Sequence, residues 1–565
     1  MSSRKHQSKA HSIWLNHLKD NWGIYLLGTF SVIITNLMQV TWTRGLGWII
    51  DFFSGDPYPQ FFHSTDKDKT FLHIFLVLFF SRVFLFIGRW GWRMTLARQT
   101  HYAAANLRRW IFNSSRFFPR KDLDTKYTKG LLMNASTSDV NAARFIFGFT
   151  LVAVVDVVFL GFFTIWAMLS IHVEMTLWSL GVLLFLPFFV KKLSAIEIDK
   201  YTGAQEFLTV FNDLASQVVS TIRLQRLTQT GEFWRLRLEE TAEEYRRQRL
   251  SAVFTSLLYS PLMGAVYFVS YLVIFILGIR LVFNGGISIG GFMAMQGLIF
   301  LVQDPLFELG FIISDWKKGK KSLERLSEIF THPKEEWLLK KDGSALKPQT
   351  EVLRASDINF SYEEGRNIIS GFNLSLKQGE RLGIKGPIGT GKTTLVSILS
   401  GLERGNDGEV LYCGKSFNEY DHHEIRKSVC FVPQKPFLFA SSIRENICMD
   451  RPFSDEEVWH ALKVAGLERD IKSFPDQLDT PLGEWGINLS GGQKQRLTLA
   501  RALARKPHLL FLDDCLSAVD TVTEDKILRG LDKELNDTTL IWVAHRDSTL
   551  KYCDRVIEMK GEVLQ

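Results

Sequence analysis

The run Gly386-Pro387-Ile388-Gly389-Thr390-Gly391-Lys392-Thr393 fits the phosphate-cradling pattern G-x-x-x-x-G-K-[ST]. Its glycines let backbone N–H groups turn toward an anion, and a helix following the loop adds the positive end of its dipole. An ammonium at Lys392 suits the β- and γ-phosphates of a nucleotide, and the Thr393 hydroxyl suits a Mg²⁺ ion bound to them. Further polar groups follow in order. Gln434 closes Phe431-Val432-Pro433-Gln434, and Leu489-Ser490-Gly491-Gly492-Gln493 opens a segment that continues through Arg496 and Ala500. The apolar stretch His508-Leu509-Leu510-Phe511-Leu512 ends in two carboxylates, Asp513 and Asp514, and Ser517-Ala518-Val519-Asp520 comes next. A second apolar stretch, Thr539 to Ala544, ends in His545. Near a γ-phosphate, these groups supply cation ligands, a water-polarising carboxylate and a histidine.

Regular elements must bring these residues together. Arg381 to Lys385 reads as a strand ahead of the glycine loop, and Thr394 to Leu399 reads as helix. The carboxylates and the histidine also terminate predicted strands. An open α/β sheet places its ligand crevice at such strand ends. Residues 347–565 are therefore expected to form an α/β P-loop domain.

The remainder of the 565-residue chain is of another kind. Long apolar runs rich in Phe and Trp dominate up to about residue 315. Six stretches, near 23–53, 70–95, 144–169, 174–193, 254–283 and 287–312, are long enough for membrane helices, which need about 20 residues each. Basic residues gather at alternate ends: Arg4 and Lys5, Arg108 to Lys121, Lys191 and Lys192, and Lys317 to Lys321. By the positive-inside rule both termini are cytoplasmic. The net charge of +7 follows from that bias and gives no reason to invoke nucleic acid. Residues 1–22 are polar and basic, with Ile13, Trp14, Leu15, Leu18 and Trp22 forming the stripe of a surface helix, and no cleavable signal peptide is evident. All five cysteines fall in the soluble part without C-x-x-C spacing, which indicates reduced thiols and no metal site. Arg82 and Asp156 lie inside predicted spans at similar depth, so the sequence allows them to pair.

Taken together, these motifs make the chain resemble an ABC transporter half-subunit of the exporter type. The implied architecture is an all-α six-helix transmembrane domain (23–330) with long cytoplasmic helical extensions, a linker (331–346) and an ABC ATPase domain (347–565). Gly130 to Val140 and Ser216 to Arg226 resemble the family's two coupling loops. The resemblance implies ATP and Mg²⁺ as cofactors, and a bilayer location in the cytoplasmic (inner) membrane. It also assigns roles. Tyr362 would stack on adenine, while Gly386, Gly389, Thr390, Gly391, Lys392, Thr393 and Thr394 would hold the phosphates. Thr393, Gln434 and Asp513 would hold Mg²⁺. Ser490, Gly491, Gly492 and Gln493 would touch nucleotide on a second ATPase domain, Asp520 would lie between the domains, and His545 would contact the γ-phosphate.

One position departs from that family. Where a catalytic glutamate is usual, this chain has Asp514. Its side chain is one methylene shorter, and a general base needs hydrogen-bond reach of about 2.6–3.2 Å. The site built on Lys392 is therefore expected to bind ATP and hydrolyse it slowly. This pattern resembles one subunit of a heterodimeric multidrug-type exporter, with the intact signature at 489–493 completing the partner's site. A homodimer is the alternative partner arrangement. The expected cargo is a small amphipathic or hydrophobic compound: a drug, a lipid or a peptide. The alternative functions are a homodimeric lipid flippase and an ATP-gated membrane regulator that does not pump.

Overall fold

The computed structural model describes residues 2–64, 66–183, 186–335, 343, 346, 349–361, 368–449, 451–535 and 537–559. The chain divides into two units, Met1–Arg116 with Thr125–His332, and Phe117–Asp124 with Pro333–Gln565. Much of the expected linker 331–346 lies outside the described residues, as does Tyr362.

The first unit is helical. It contains α1 (Ser2–Asp20), α2 (Trp22–Ser54), α3 (Lys67–Trp92), α4 (Arg98–Ser115), α5 (Phe149–Leu169), α6 (Val173–Leu183), α7 (Leu186–Ser220), α8 (Gly231–Leu257), α9 (Tyr259–Phe283) and α10 (Ile289–Thr331). Among the described residues, four helical runs are long and apolar enough to cross a membrane: Trp22–Ser54, Lys67–Ser115, Lys129–Leu169 and Gly231–Phe283. The other two expected spans correspond to shorter apolar helices, Val173–Leu183 and Ile289–Gln303. One reason is local. Val173–Leu183 abuts residues outside the description, and the apolar part of α10 gives way to Asp304 and Glu308. The long charged segments expected to project from the apolar runs are helical, as α4, α7 and α8, rather than separate insertions with turn clusters or strands.

Small residues let α2 and α10 meet closely. A Cβ on Gly290 would fall 2.0 Å from the Gly47 carbonyl oxygen, and Asp51 Oδ1 accepts the Gly290 N–H at 2.8 Å. Arg82 does not pair with Asp156. Its guanidinium lies 3.7 Å from the centre of the Trp42 ring, while Asp156 lines a cavity with Arg89 and Arg93. Similar depth along two helices does not fix their rotation, and here rotation turns Arg82 onto an aromatic face instead.

Among the described residues, the second unit holds two sheets. An antiparallel one runs β2 (Ile369–Lys377), β1 (Glu351–Phe360), β4 (Asp407–Tyr412), β5 (Lys415–Ser416). The other has the order β6 (Val429–Val432), β7 (Leu509–Asp513), β8 (Thr539–Val543), β3 (Arg381–Lys385), β9 (Arg555–Glu558), and all its pairings are parallel. Strands β7 and β8 are buried at every residue, as expected of parallel strands covered on both faces. Helices α11 (Lys392–Leu399), α12 (Gly491–Leu503) and α13 (Thr521–Glu534) complete what positions the site. The short stretch Phe117–Asp124 belongs with this unit, where Arg120 and Asp124 act on the charge of Glu403; Gly130 to Val140 stays with the helical unit.

Candidate nucleotide site

Strand register brings the chemistry to one edge. Asp513 pairs with Val543, and Val543 pairs with Ile384, so β7, β8 and β3 end side by side. Asp513 and Asp514, Ala544 and His545, and the loop at Gly386 therefore emerge together at the carboxyl ends of parallel strands.

The loop has the backbone its sequence demanded. Gly389 and Gly391 have φ of +87° and +84°, where L side chains are strained. A Cβ on Gly391 would also sit 2.5 Å from Ile368 Cγ2. Thr390 Oγ1 donates to the Pro387 carbonyl at 3.0 Å. Lys392 folds back, its Nζ donating to the Gly386 and Pro387 carbonyl oxygens at 2.7 Å each. Burial pulls the ammonium below its ordinary pKa, opposed by the nearby charges of Asp513 and Asp514. A phosphate would offer that ammonium a stronger acceptor than two carbonyls.

Asp513 carries a clear sign of a missing partner. Its side chain is 2 % exposed, and its Oδ2 is buried without a hydrogen bond. Burial pushes its pKa up, and Asp514 adds to the rise; a Thr393 hydrogen bond, Lys392 and His545 act the other way. An orphaned carboxylate oxygen beside a threonine hydroxyl fits a hard divalent cation, which takes oxygen ligands. Gln434 Nε2 donates to Asp514 Oδ2 at 3.1 Å, which leaves the Gln434 carbonyl oxygen available to the same cation. Asp514 has φ +45°, a conformation that Asp tolerates better than most residues, and its N–H bonds the Val543 carbonyl at 3.0 Å.

The signature residues stand apart from this cluster. Ser490 caps α12, and Ser490 and Gln493 exchange the two bonds of a capping box, at 3.0 and 3.3 Å. Gln493 Nε2 also donates to Asp470 Oδ1 at 3.1 Å. Among the described residues, none of Ser490, Gly491, Gly492 and Gln493 hydrogen-bonds the loop 386–394. A Cβ on Gly492 would lie 2.8 Å from the Ala518 carbonyl oxygen, so this glycine is needed for the close packing of 490–493 on 517–519. Asp520 caps α13 by accepting the Thr523 N–H at 2.9 Å, a bond that holds its carboxyl below the usual range.

Sequence reasoning missed three links. Gln495 Nε2 donates to Ser517 Oγ at 3.1 Å and its Oε1 accepts the Ala518 N–H at 2.9 Å, tying α12 to 517–519. Arg546 donates to the carbonyls of Val519 (3.2 Å) and Ser517 (3.4 Å) and pairs with the buried Glu524. Lys385 Nζ meets Asp547 at 2.7 Å. Arg546 and Asp547 directly follow His545, and that adjacency was the available signal.

Two family profiles match this chain, one described as "ABC transporter" over 369–517 and one as "ABC transporter transmembrane region" over 25–306. The "Uncharacterized ABC transporter ATP-binding protein YknU" of Bacillus subtilis (strain 168) is 30% identical over 438 residues, spanning 77% of this chain and 74% of that protein. The chain belongs to the ABC transporter family. Two further relatives of this ABC transporter bear multidrug names. "Multidrug resistance-like ATP-binding protein MdlA" of Buchnera aphidicola subsp. Baizongia pistaciae (strain Bp) is 26% identical over 96% of this chain and 92% of its own length. "Probable multidrug resistance ABC transporter ATP-binding/permease protein YheI" of Bacillus subtilis (strain 168) is 28% identical over 78% and 75%. This ABC transporter carries a helical transmembrane domain ahead of an α/β ATPase domain that couples ATP hydrolysis to transport.

Proposed function

We propose that this half-transporter exports an amphipathic or hydrophobic compound (a drug-like molecule, a lipid or a peptide) across the cytoplasmic membrane by alternating access. Six spans carry the pathway, with both termini and the ATPase domain on the cytoplasmic side. Mg·ATP binds at Lys392, with Thr393, Gln434 and Asp513 as cation ligands and His545 facing the γ-phosphate. Tyr362 stacks on the adenine. The observation that carries this reading is the orphaned Asp513 oxygen beside the glycine loop, on a chain whose other half is apolar helices.

A second half-transporter completes the machine, and a heterodimer is favoured. Residues 490–493 have no bond to this chain's own loop, which leaves them available for a partner's nucleotide. Asp514 makes this chain's own site the slow one. Purified alone in lipid vesicles, the chain should bind Mg·ATP and hydrolyse it weakly. Co-reconstitution with a partner carrying glutamate at the matching position should restore turnover and drive uptake of a hydrophobic dye into inside-out vesicles. Fast hydrolysis by the chain alone would remove the heterodimer, and ATP turnover without uptake would remove export.

A further inference from the structure

Within the helical unit a cavity of about 750 Å³ opens between α2, α3, α5 and α10. Its wall carries charges of both signs, with Arg89 on α3 and Arg93 just past its end, Asp156 on α5, and Glu308 and Asp315 on α10. A charge inside the hydrocarbon, as Asp156 is, costs about 2.5–3.5 kcal/mol on insertion scales, so it usually marks a pathway or ligand. A second observation points to a ligand. Asn36 on the same wall is 1% exposed, and its Nδ2 has no hydrogen-bond partner. Among the described residues neither Arg89 nor Arg93 makes an ion pair. Trp92, Phe149, Val152 and Leu160 supply apolar wall.

The charges are ordered by depth. At 1.5 Å per residue, Asp156 lies about 20 Å from the Leu169 end of α5, and Asn36 lies about 27 Å from the Ser54 end of α2. Arg89 and Arg93 lie about 33 and 39 Å from the Lys67 end of α3. A hydrocarbon core about 30 Å thick puts the arginines at the membrane–water boundary and Asp156 inside it.

We infer that this cavity binds a zwitterionic amphipath, with its ammonium drawn inward to Asp156, its phosphate or carboxylate held at the mouth by Arg89 and Arg93, and its tail against the apolar wall. Asn36 donates its free N–H to the ligand between the two charges. The inference rests on the export reading and narrows the cargo. A bilayer phospholipid and a free single-chain molecule share this chemistry.

The test uses the full chain in nanodiscs of phosphatidylglycerol. Dodecylphosphocholine, dodecyltrimethylammonium and dodecyl sulfate are titrated below their micellar concentrations, with empty nanodiscs subtracted. The zwitterion should bind about tenfold tighter than either singly charged probe. Asp156→Asn should erase its advantage over dodecyl sulfate, and the double variant Arg89→Gln/Arg93→Gln its advantage over dodecyltrimethylammonium. Asn36→Ala should weaken it alone. Adding phosphatidylethanolamine to the nanodisc competes the probe off if the occupant is a lipid, and leaves it bound if the occupant is a free amphipath. Equal affinities for the three probes, or a ranking that no variant moves, overturns the inference; a variant that does not fold leaves the wild-type ranking to decide. A fluorescent Mg·ATP analogue is titrated into the same samples. Loss of nucleotide binding in the wild type counts against the transport reading, whereas loss of probe selectivity with nucleotide bound counts only against this cavity.

Discussion

Gln434 Nε2 and Asp514 Oδ2 are joined by a 3.1 Å hydrogen bond across 80 positions of sequence. The bond holds the short carboxylate against Gln434, two residues past the end of β6. Lengthening that side chain should matter. Asp514→Glu is expected to raise ATP hydrolysis at this chain's own site by up to about 100-fold, since about 1 Å of misplacement can cost that much. Asp514→Asn should silence the site. Steady-state phosphate release with the partner held constant checks both, and an unchanged rate in Asp514→Glu would clear the aspartate of blame.

Gln434→Ala removes the other end of that bond along with the oxygen proposed to bind Mg²⁺. The Mg²⁺ concentration for half-maximal hydrolysis should rise by about 10- to 100-fold, the usual scale for lost support around a metal. Metal-free ATP binding should be unaffected. Metal titrations at saturating ATP separate the two.

Lys392→Ala should abolish nucleotide recognition. At 100 times Kd a bound ligand stabilises by about 2.7 kcal/mol, so Mg·ATP should raise the melting temperature of the wild type and leave this variant unmoved. Differential scanning fluorimetry with and without Mg·ATP reads the difference.

Arg546→Ala strips the ion partner from Glu524, whose side chain is 2% exposed and keeps Thr549 Oγ1 at 2.6 Å. Breaking a buried pair costs about 3–5 kcal/mol, and the partly exposed arginine places this case at or below the lower end. The double variant Arg546→Ala/Glu524→Gln should recover much of the loss in urea unfolding of the detergent-solubilised chain.

Asp520 ties pH to stability. Its folded pKa is held below the ordinary aspartate value, so its contribution is present above the unfolded pKa and disappears as pH falls through the folded one. Asp520→Asn keeps a capping oxygen but should flatten the acid limb of stability below about pH 4. Melting curves between mildly acidic and strongly acidic buffer test the slope.

The glycine loop, the paired carboxylates after β7 and the histidine after β8 were legible from sequence because each depends on local order: a strand, then a turn, then a polar residue. The long apolar runs were legible for the same reason, since the cost of desolvating the backbone acts on every residue of a span. The register that sets Asp513 beside Val543 and Ile384 was not, because parallel strands are paired through crossovers remote in sequence. Nor was the rotation that turns Arg82 onto Trp42 and Asp156 into a cavity with Arg89, or the clamp of Arg546 on Ser517, Val519 and Glu524. Sequence alone determined which groups exist and which phosphate chemistry they suit. Tertiary structure decided which of them meet, because side-chain partners separated by dozens of residues are chosen by packing and strand order rather than by spacing along the chain.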